Sequence, residues 1–288
     1  ITDFDRIKNK DNVDGEGPLF DLARKRTTTF MSRGMTLVES SPGEPFADPN
    51  WKALTPHEAP PVKGILGIYN LTDRRRLYWR CPHCAARFEP KPGLELFNLP
   101  PEDQLLQDIR EIDIDAMAVD FGKRIVCPEC QCMIFAEEKQ EMNRGAIWIT
   151  EAEILGRQPT SPMLGYWMGG LPAAYQPWRS LVHRYLLGLR DYSLTGSEET
   201  LKTTTNTDQG MPYMSMHLRD AARASRLPED RTEEIQRYVV PDWARMVIAM
   251  VDVQGGVRPR FVVQVHAVGG HYEQQLVNRF WILDSRRP

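Results

Sequence analysis

Two short motifs carry the clearest chemistry in this chain. Cys81-Pro82-His83-Cys84 and Cys127-Pro128-Glu129-Cys130 each set two thiols across a tight turn, and two such pairs supply the four sulfur ligands of a tetrahedral site. The five cysteines fall at 81, 84, 127, 130 and 132, in two clusters, which points to metal in a reducing compartment and away from scattered disulfides. Four protein ligands leave no open coordination position, so the expected ion is a structural Zn2+ that cross-links the fold. Cys132 and His83 are spare donors that can replace a ligand. Reduced core cysteines, the plainer alternative, do not account for the doubled motif.

Three further groups invite a chemical reading, each beside a plainer one. Arg74, Arg75, Arg76 and Arg80 interleave with Tyr78 and Trp79. Guanidiniums and rings in that order can grip phosphate and stack on bases, or can form a solvated strand edge that neutralises nearby acids. Asp252 closes an apolar run, looks buried, and is followed by a glycine turn and a second run. Strand, acid, turn and strand open an RNase H-like nuclease, in which carboxylates hold two divalent ions; a turn-capping acid has the same local pattern. Only Glu273 and Asp284 follow as further acids. Thr2-Asp3-Phe4-Asp5 can end a nucleotide-hydrolase strand, one acid holding Mg2+ and a second orienting water, or can be an ordinary Asx turn. No G-x-x-x-x-G-K-[ST] loop occurs in the chain.

The elements that must position these groups follow from pattern. Leu19–Phe30 reads as a helix, Met35–Val38 as a short strand, and 42–63 as a proline-rich loop. Ile65–Tyr69 and Arg76–Trp79 read as strands flanking the first cysteine pair. Forty-two residues separate Cys84 from Cys127. Within them Leu105, Ile109, Ile112 and Met117 predict an amphipathic helix over 100–124, straight or kinked, with an acidic outer face. Gly165–Pro177 predicts a close-packed crossing, Trp178–Leu189 a helix, and the polar stretch 193–235 a linker. Arg245–Val253, Arg260–Val268 and Glu273–Leu283 predict three strands joined by turns.

Composition bounds the rest. With 288 residues, two or three domains are expected. Lys plus Arg (36) against Asp plus Glu (39) gives −3, so any nucleic-acid surface must be local. No apolar run reaches the ~20 residues of a membrane span, so no membrane partner is expected. The first residue is Ile1 with no leader pattern after it, which reads as a segment of a larger polypeptide.

Taken together, these pieces resemble the large terminase subunit of tailed bacteriophages, of the lambda-like class. The resemblance is carried by Asp3-Phe4-Asp5-Arg6, Asp14-Gly15-Glu16-Gly17, Leu22-Ala23-Arg24-Lys25-Arg26-Thr27 and Ser40-Ser41-Pro42-Gly43. It continues through the two cysteine motifs, Asn206-Thr207 and Val251-Asp252-Val253-Gln254. It implies a multidomain α/β protein: the C-terminal part of a P-loop ATPase core (1–75), a zinc-binding insert (76–140), a helical linker region (141–237) and the first strands of an RNase H-like nuclease (238–288). It implies ATP-driven packaging of double-stranded viral DNA into a procapsid and endonucleolytic cutting, with ATP and Mg2+ or Mn2+ as cofactors. The implied partners are a small terminase subunit and a portal protein, in a homo-oligomeric ring in the host cytoplasm and transiently at the portal.

By the same resemblance Asp3 lies in the Walker B region, Ser40-Ser41-Pro42 couples hydrolysis to DNA movement, and Asp252 is the first metal-binding acid of the nuclease. Thr2-Asp3 stands where the family reads Asp-Glu, which leaves the division of labour at Asp3 open. The Walker A loop is expected before Ile1 and the other nuclease acids after Pro288, so this segment is expected to be inactive alone. A zinc-stapled DNA-binding module without catalysis and a stand-alone RNase H-like nuclease are the competing readings.

Overall fold

The computed structural model describes residues 1–225, 238–254, 260–270 and 273–283. The chain is mixed α/β and forms two compact units, residues 1–224 and 225–288. Much of the charged stretch 223–237, the turn at Gly255-Gly256 and Asp284 lie outside the described residues.

The first unit begins with an extended contact. The Ile1 nitrogen donates to the Leu37 carbonyl at 2.7 Å, and the Glu39 N–H donates to the Ile1 carbonyl at 2.9 Å, the alternation of a parallel ladder. Met35–Val38 is extended, as expected, but too sparsely bonded to form a strand. Helix α1 spans Leu19–Thr27. The strand expected at Ile65–Tyr69 is instead helix α2, Ile65–Asn70. Its β-branched residues favour a strand locally, but the Asp5 carboxylate accepts the Ile65 N–H at 2.7 Å and caps a helical turn from sixty residues away.

Strand β1 (Arg75–Arg80) organises the larger sheet. It pairs antiparallel with β2 (Arg87–Phe88) and β5 (Ile147–Thr150), and parallel with β6 (Tyr166–Trp167). A second hairpin joins β3 (Arg124–Val126) to β4 (Met133–Phe135). The helix expected over 100–124, straight or kinked, is two, α3 (Glu102–Asp108) and α4 (Ile114–Gly122). Asp113 causes the break: its carboxylate accepts the Ala116 N–H at 3.0 Å and starts a new helix in place of the old one. Short helices α5 (Lys139–Arg144) and α6 (Glu151–Ile154) follow β4 and β5.

Helix α7 (Trp178–Thr195) closes the core. Its Leu181, Leu186 and Leu189 are fully buried against a cluster that includes Trp79, Ile125 and Ile134, and each contributes ~1.5–3 kcal/mol of burial. The core therefore runs unbroken from β1 to beyond residue 200. The linker expected at 193–235 is folded across its described part. It holds α8 (Glu199–Thr203), a π-turn at Thr204–Asp208 and α9 (Met216–Ser225), with Leu201, Thr204 and Asn206 buried. Gly170 is the crossing point: a Cβ there would stand 1.9 Å from the Asp208 carbonyl of the π-turn.

In the second unit β7 (Met246–Gln254), β8 (Arg260–Val268) and β9 (Gln274–Leu283) form an antiparallel meander with a bulge at Val265/His266, close to the three expected strands. Asp252, expected to be buried, is exposed on β7. The reason is that neither face of this edge strand is covered, since residues 246–253 are all exposed. Among the described residues no helix is long and apolar enough to cross a membrane.

Candidate functional site

The two cysteine motifs adopt one geometry twice. In each, the N–H four residues on bonds back to the first cysteine's carbonyl at 3.0 Å: Ala85 to Cys81, and Gln131 to Cys127. Ala85 and Gln131 both sit at φ 60°, and the next turn bond is likewise repeated, Cys81 N–H to Ala86 and Cys127 N–H to Cys132. The sulfurs of Cys81, Cys84, Cys127 and Cys130 lie within 4.8 Å of one another, with Cys81 and Cys130 at 3.9 Å. Sulfurs around one tetrahedral ion would be ~3.8 Å apart at a metal–sulfur distance of ~2.3 Å, so these four can hold a metal ion. Burial raises the Cys127 thiol to about 12. Burial also opposes ionisation of Cys81, but the N–H groups of Cys84 and His83 outweigh it and bring that thiol to about 7. The spare donors stay out: His83 Nε2 bonds the Met133 carbonyl at 2.9 Å, and Cys132 is exposed outside the cluster.

A cavity of about 490 Å³ brings together residues far apart in sequence. Asp3 and Ser40-Ser41-Pro42 line it, with Tyr69, Trp167, Gln176 and Asp208 among the other walls. Asp3 holds a left-handed backbone, φ 50°, at the start of a 3-10 turn. Asp5 proves to be the organising acid and is not placed to orient water. Its carboxylate accepts the Gly43 N–H at 2.8 Å and the Ile65 N–H at 2.7 Å, while its own N–H bonds Ser40 Oγ at 3.0 Å. Burial pushes its pKa up, against the pull of those two backbone donors. Gly64, at φ +75°, is obligatory beside it, because a Cβ would stand 2.2 Å from Asp5 Oδ1. Asp5→Asn turns one of those acceptors into a donor facing a backbone N–H. The expected cost is ~2 kcal/mol, seen as a lowered melting temperature and faster amide exchange at 40–43; an unchanged melt and exchange would refute the clamp.

The arginines are mostly engaged within the fold. Arg74 bonds Glu151 at 3.2 Å and the Asn70 carbonyl at 3.0 Å. Arg75 bonds Asp73 at 2.8 Å and lies over Tyr166. Arg76 is buried, 3.5 Å from the Trp167 ring centroid and 3.4 Å from the Glu89 carboxylate. Burial raises Glu89 and lowers Arg76. Arg80 is exposed and stands opposite Arg87, also exposed, so the reachable cationic pair is Arg80 and Arg87. Sequence reasoning missed Arg87, whose signal was its place one turn beyond the first cysteine pair.

In the second unit the register sets Asp252 opposite Val262, on the same face as Gln264 and His266, with Arg279 beside Gln264. His266 bonds Gln264 at 3.2 Å and Gln274 at 2.9 Å. None of these three was singled out from sequence, since alternation on a strand becomes a polar face only once the register is known.

Comparison with known families divides the chain in the same order as these sites. The family model described as phage terminase large subunit gpA, ATPase domain, matches residues 1–148, which include Asp3, Ser40-Ser41-Pro42 and the cysteine cluster. The model described as terminase large subunit gpA, endonuclease domain, matches residues 163–286, which include Asp252. No curated protein and no solved structure matches the chain. With one match covering more than half of its 288 residues and the second most of the remainder, the chain belongs to the phage terminase large subunit family.

Proposed function

We propose that this chain packages and cuts viral DNA: ATP turnover at the Asp3 cavity drives double-stranded DNA into a procapsid, and the second unit cuts it. The observation that carries the reading is the cavity shared by Asp3 and Ser40-Ser41-Pro42, joined through the Asp5 clamp. A coupling segment must feel the state of the hydrolytic site, and Asp5, two residues after Asp3, ties that turn to the segment through its N–H on Ser40 and its carboxylate on the Gly43 N–H. Asp3 is the acid for a nucleotide-bound Mg2+, and Asp252 starts the Mg2+ or Mn2+ site of an RNase H-like nuclease. Zn2+ at Cys81, Cys84, Cys127 and Cys130 is structural, and Arg80 with Arg87 meets the DNA backbone. The small subunit, the portal and further copies in a ring are the partners, in the host cytoplasm.

The test uses the full-length protein with duplex DNA. One polypeptide is expected both to hydrolyse ATP faster when DNA is present and to cut DNA only with Mg2+ or Mn2+. Absence of both activities, with DNA binding intact, would favour a second reading, a metal-stapled DNA-binding module. The exposed Arg80 and Arg87 pair beside the cysteine cluster is what supports that alternative.

A further inference from the structure

The segment between β6 and α7 forms part of the cavity wall through Gly170, Ala173, Tyr175 and Gln176. It has no regular secondary structure across 171–177, so beyond local turn bonds such as Gln176 N–H to the Ala173 carbonyl its carbonyls need partners from elsewhere. Four of them find side chains. The Leu171 carbonyl accepts Trp178 Nε1 at 2.9 Å, and Pro172 accepts Asn143 Nδ2 at 2.8 Å. Ala173 and Gln176 both accept Lys139 Nζ, at 2.5 and 2.7 Å.

Lys139 is the unusual member. It is 9% exposed, no carboxylate pairs with it among the described residues, and its charge is met by main-chain oxygens. Burial brings its pKa down to about 8. A cation held at such a cost, where Met or Leu would pack, marks a position that serves what it holds. Asn143 does two jobs, since its Oδ1 also accepts Trp79 Nε1 at 2.9 Å. Trp79 lies on β1, two residues before Cys81, and α5 itself follows β4 of the second cysteine hairpin.

We propose that Lys139 and Asn143 are positioning residues, a latch by which helix α5 of the cysteine module holds segment 170–176 as a wall of the Asp3 cavity. The functional weight of the latch rests on the reading of that cavity as a nucleotide site. Neither side chain lines the cavity, so their effect on a bound nucleotide passes through the wall.

The experiment compares full-length wild type with Lys139→Met, which keeps the bulk and removes both bonds, and Asn143→Asp, which keeps the acceptor for Trp79 and loses the donor to Pro172. Amide exchange over 170–176 should quicken about tenfold in each variant, at unchanged metal content, and the Kd for a fluorescent ATP analogue with Mg2+ should rise by a similar factor. Unchanged exchange in both variants overturns the latch, and faster exchange with unchanged affinity overturns its role in positioning. If wild type itself binds no nucleotide, the nucleotide reading fails, and the exchange comparison alone judges the latch.

Discussion

Asp252→Asn should abolish DNA cutting while leaving ATP turnover at the wild-type level. On the proposed role of Asp252 as a carboxylate bridging two divalent ions, the expected loss is at least about 1000-fold, or ~4 kcal/mol of transition-state stabilisation, because an amide cannot replace it. The variant should fold normally. Asp252 is exposed on an edge strand, and an isosteric change on such a surface shifts stability by no more than ~0.5 kcal/mol. ATP turnover should survive because Asp252 belongs to the unit formed by residues 225–288, whereas the Asp3 cavity is built wholly from residues 1–224. Cleavage and hydrolysis are measured on the same preparation. Normal cutting by the variant would remove Asp252 from the nuclease site, and a parallel loss of hydrolysis would mean that the two chemistries share more than a chain.

The second large effect is expected at Cys127. Cys127→Ser removes one thiol of the proposed metal site, a side chain completely buried in the same core as Ile125 and Ile134. Structural zinc contributes ~10–16 kcal/mol to the folding of small peptides, and even a third of that is comparable to the stability of an ordinary domain. The variant should lose its bound metal, and the thermal transition of the first unit should fall by tens of degrees or vanish. Cys132→Ser is the control. Cys132 is exposed and outside the four-sulfur cluster, so its replacement should alter neither metal content nor melting. Equal metal content in the Cys127 and Cys132 variants would mean that the four sulfurs do not act as one site.

How much of this could be read from the chain depended on the range of the forces involved. The strand at Arg75–Arg80, helix α7 and the three strands of the second unit announce themselves through local periodicity, which survives folding because it creates the buried face. The four-cysteine cluster was legible because two identical spacings coincide. Most of the misses have distant causes. Ile65–Asn70 is helical because of a cap supplied by Asp5, and Thr204, Thr205 and Asn206 are buried because a π-turn folds the run against Gly170. The break before α4 was local, in Asp113 and Ala116, and the apolar stripe that runs through it allowed a kink without placing it. Arg76 reads like its neighbours, and only the arrival of Trp167 on the adjacent strand makes it a core residue. The Asp3 cavity needs residues from 3 to 210, a convergence that no window of sequence displays.

The unbroken core has a consequence for how this protein can be divided. Small four-cysteine sites often travel between proteins as self-sufficient inserts, folding wherever the metal is supplied. Here the cysteine hairpins rest on Trp178, Leu181 and Leu186, and α7 in turn rests on Leu201. A peptide cut to residues 76–140 would present that apolar floor to water and aggregate even with its metal bound. The shortest autonomous piece carrying the site must run on through Met216, the last buried residue of the same core. Recombination that swaps the cysteine region between relatives would therefore have to carry α7 and α8 with it.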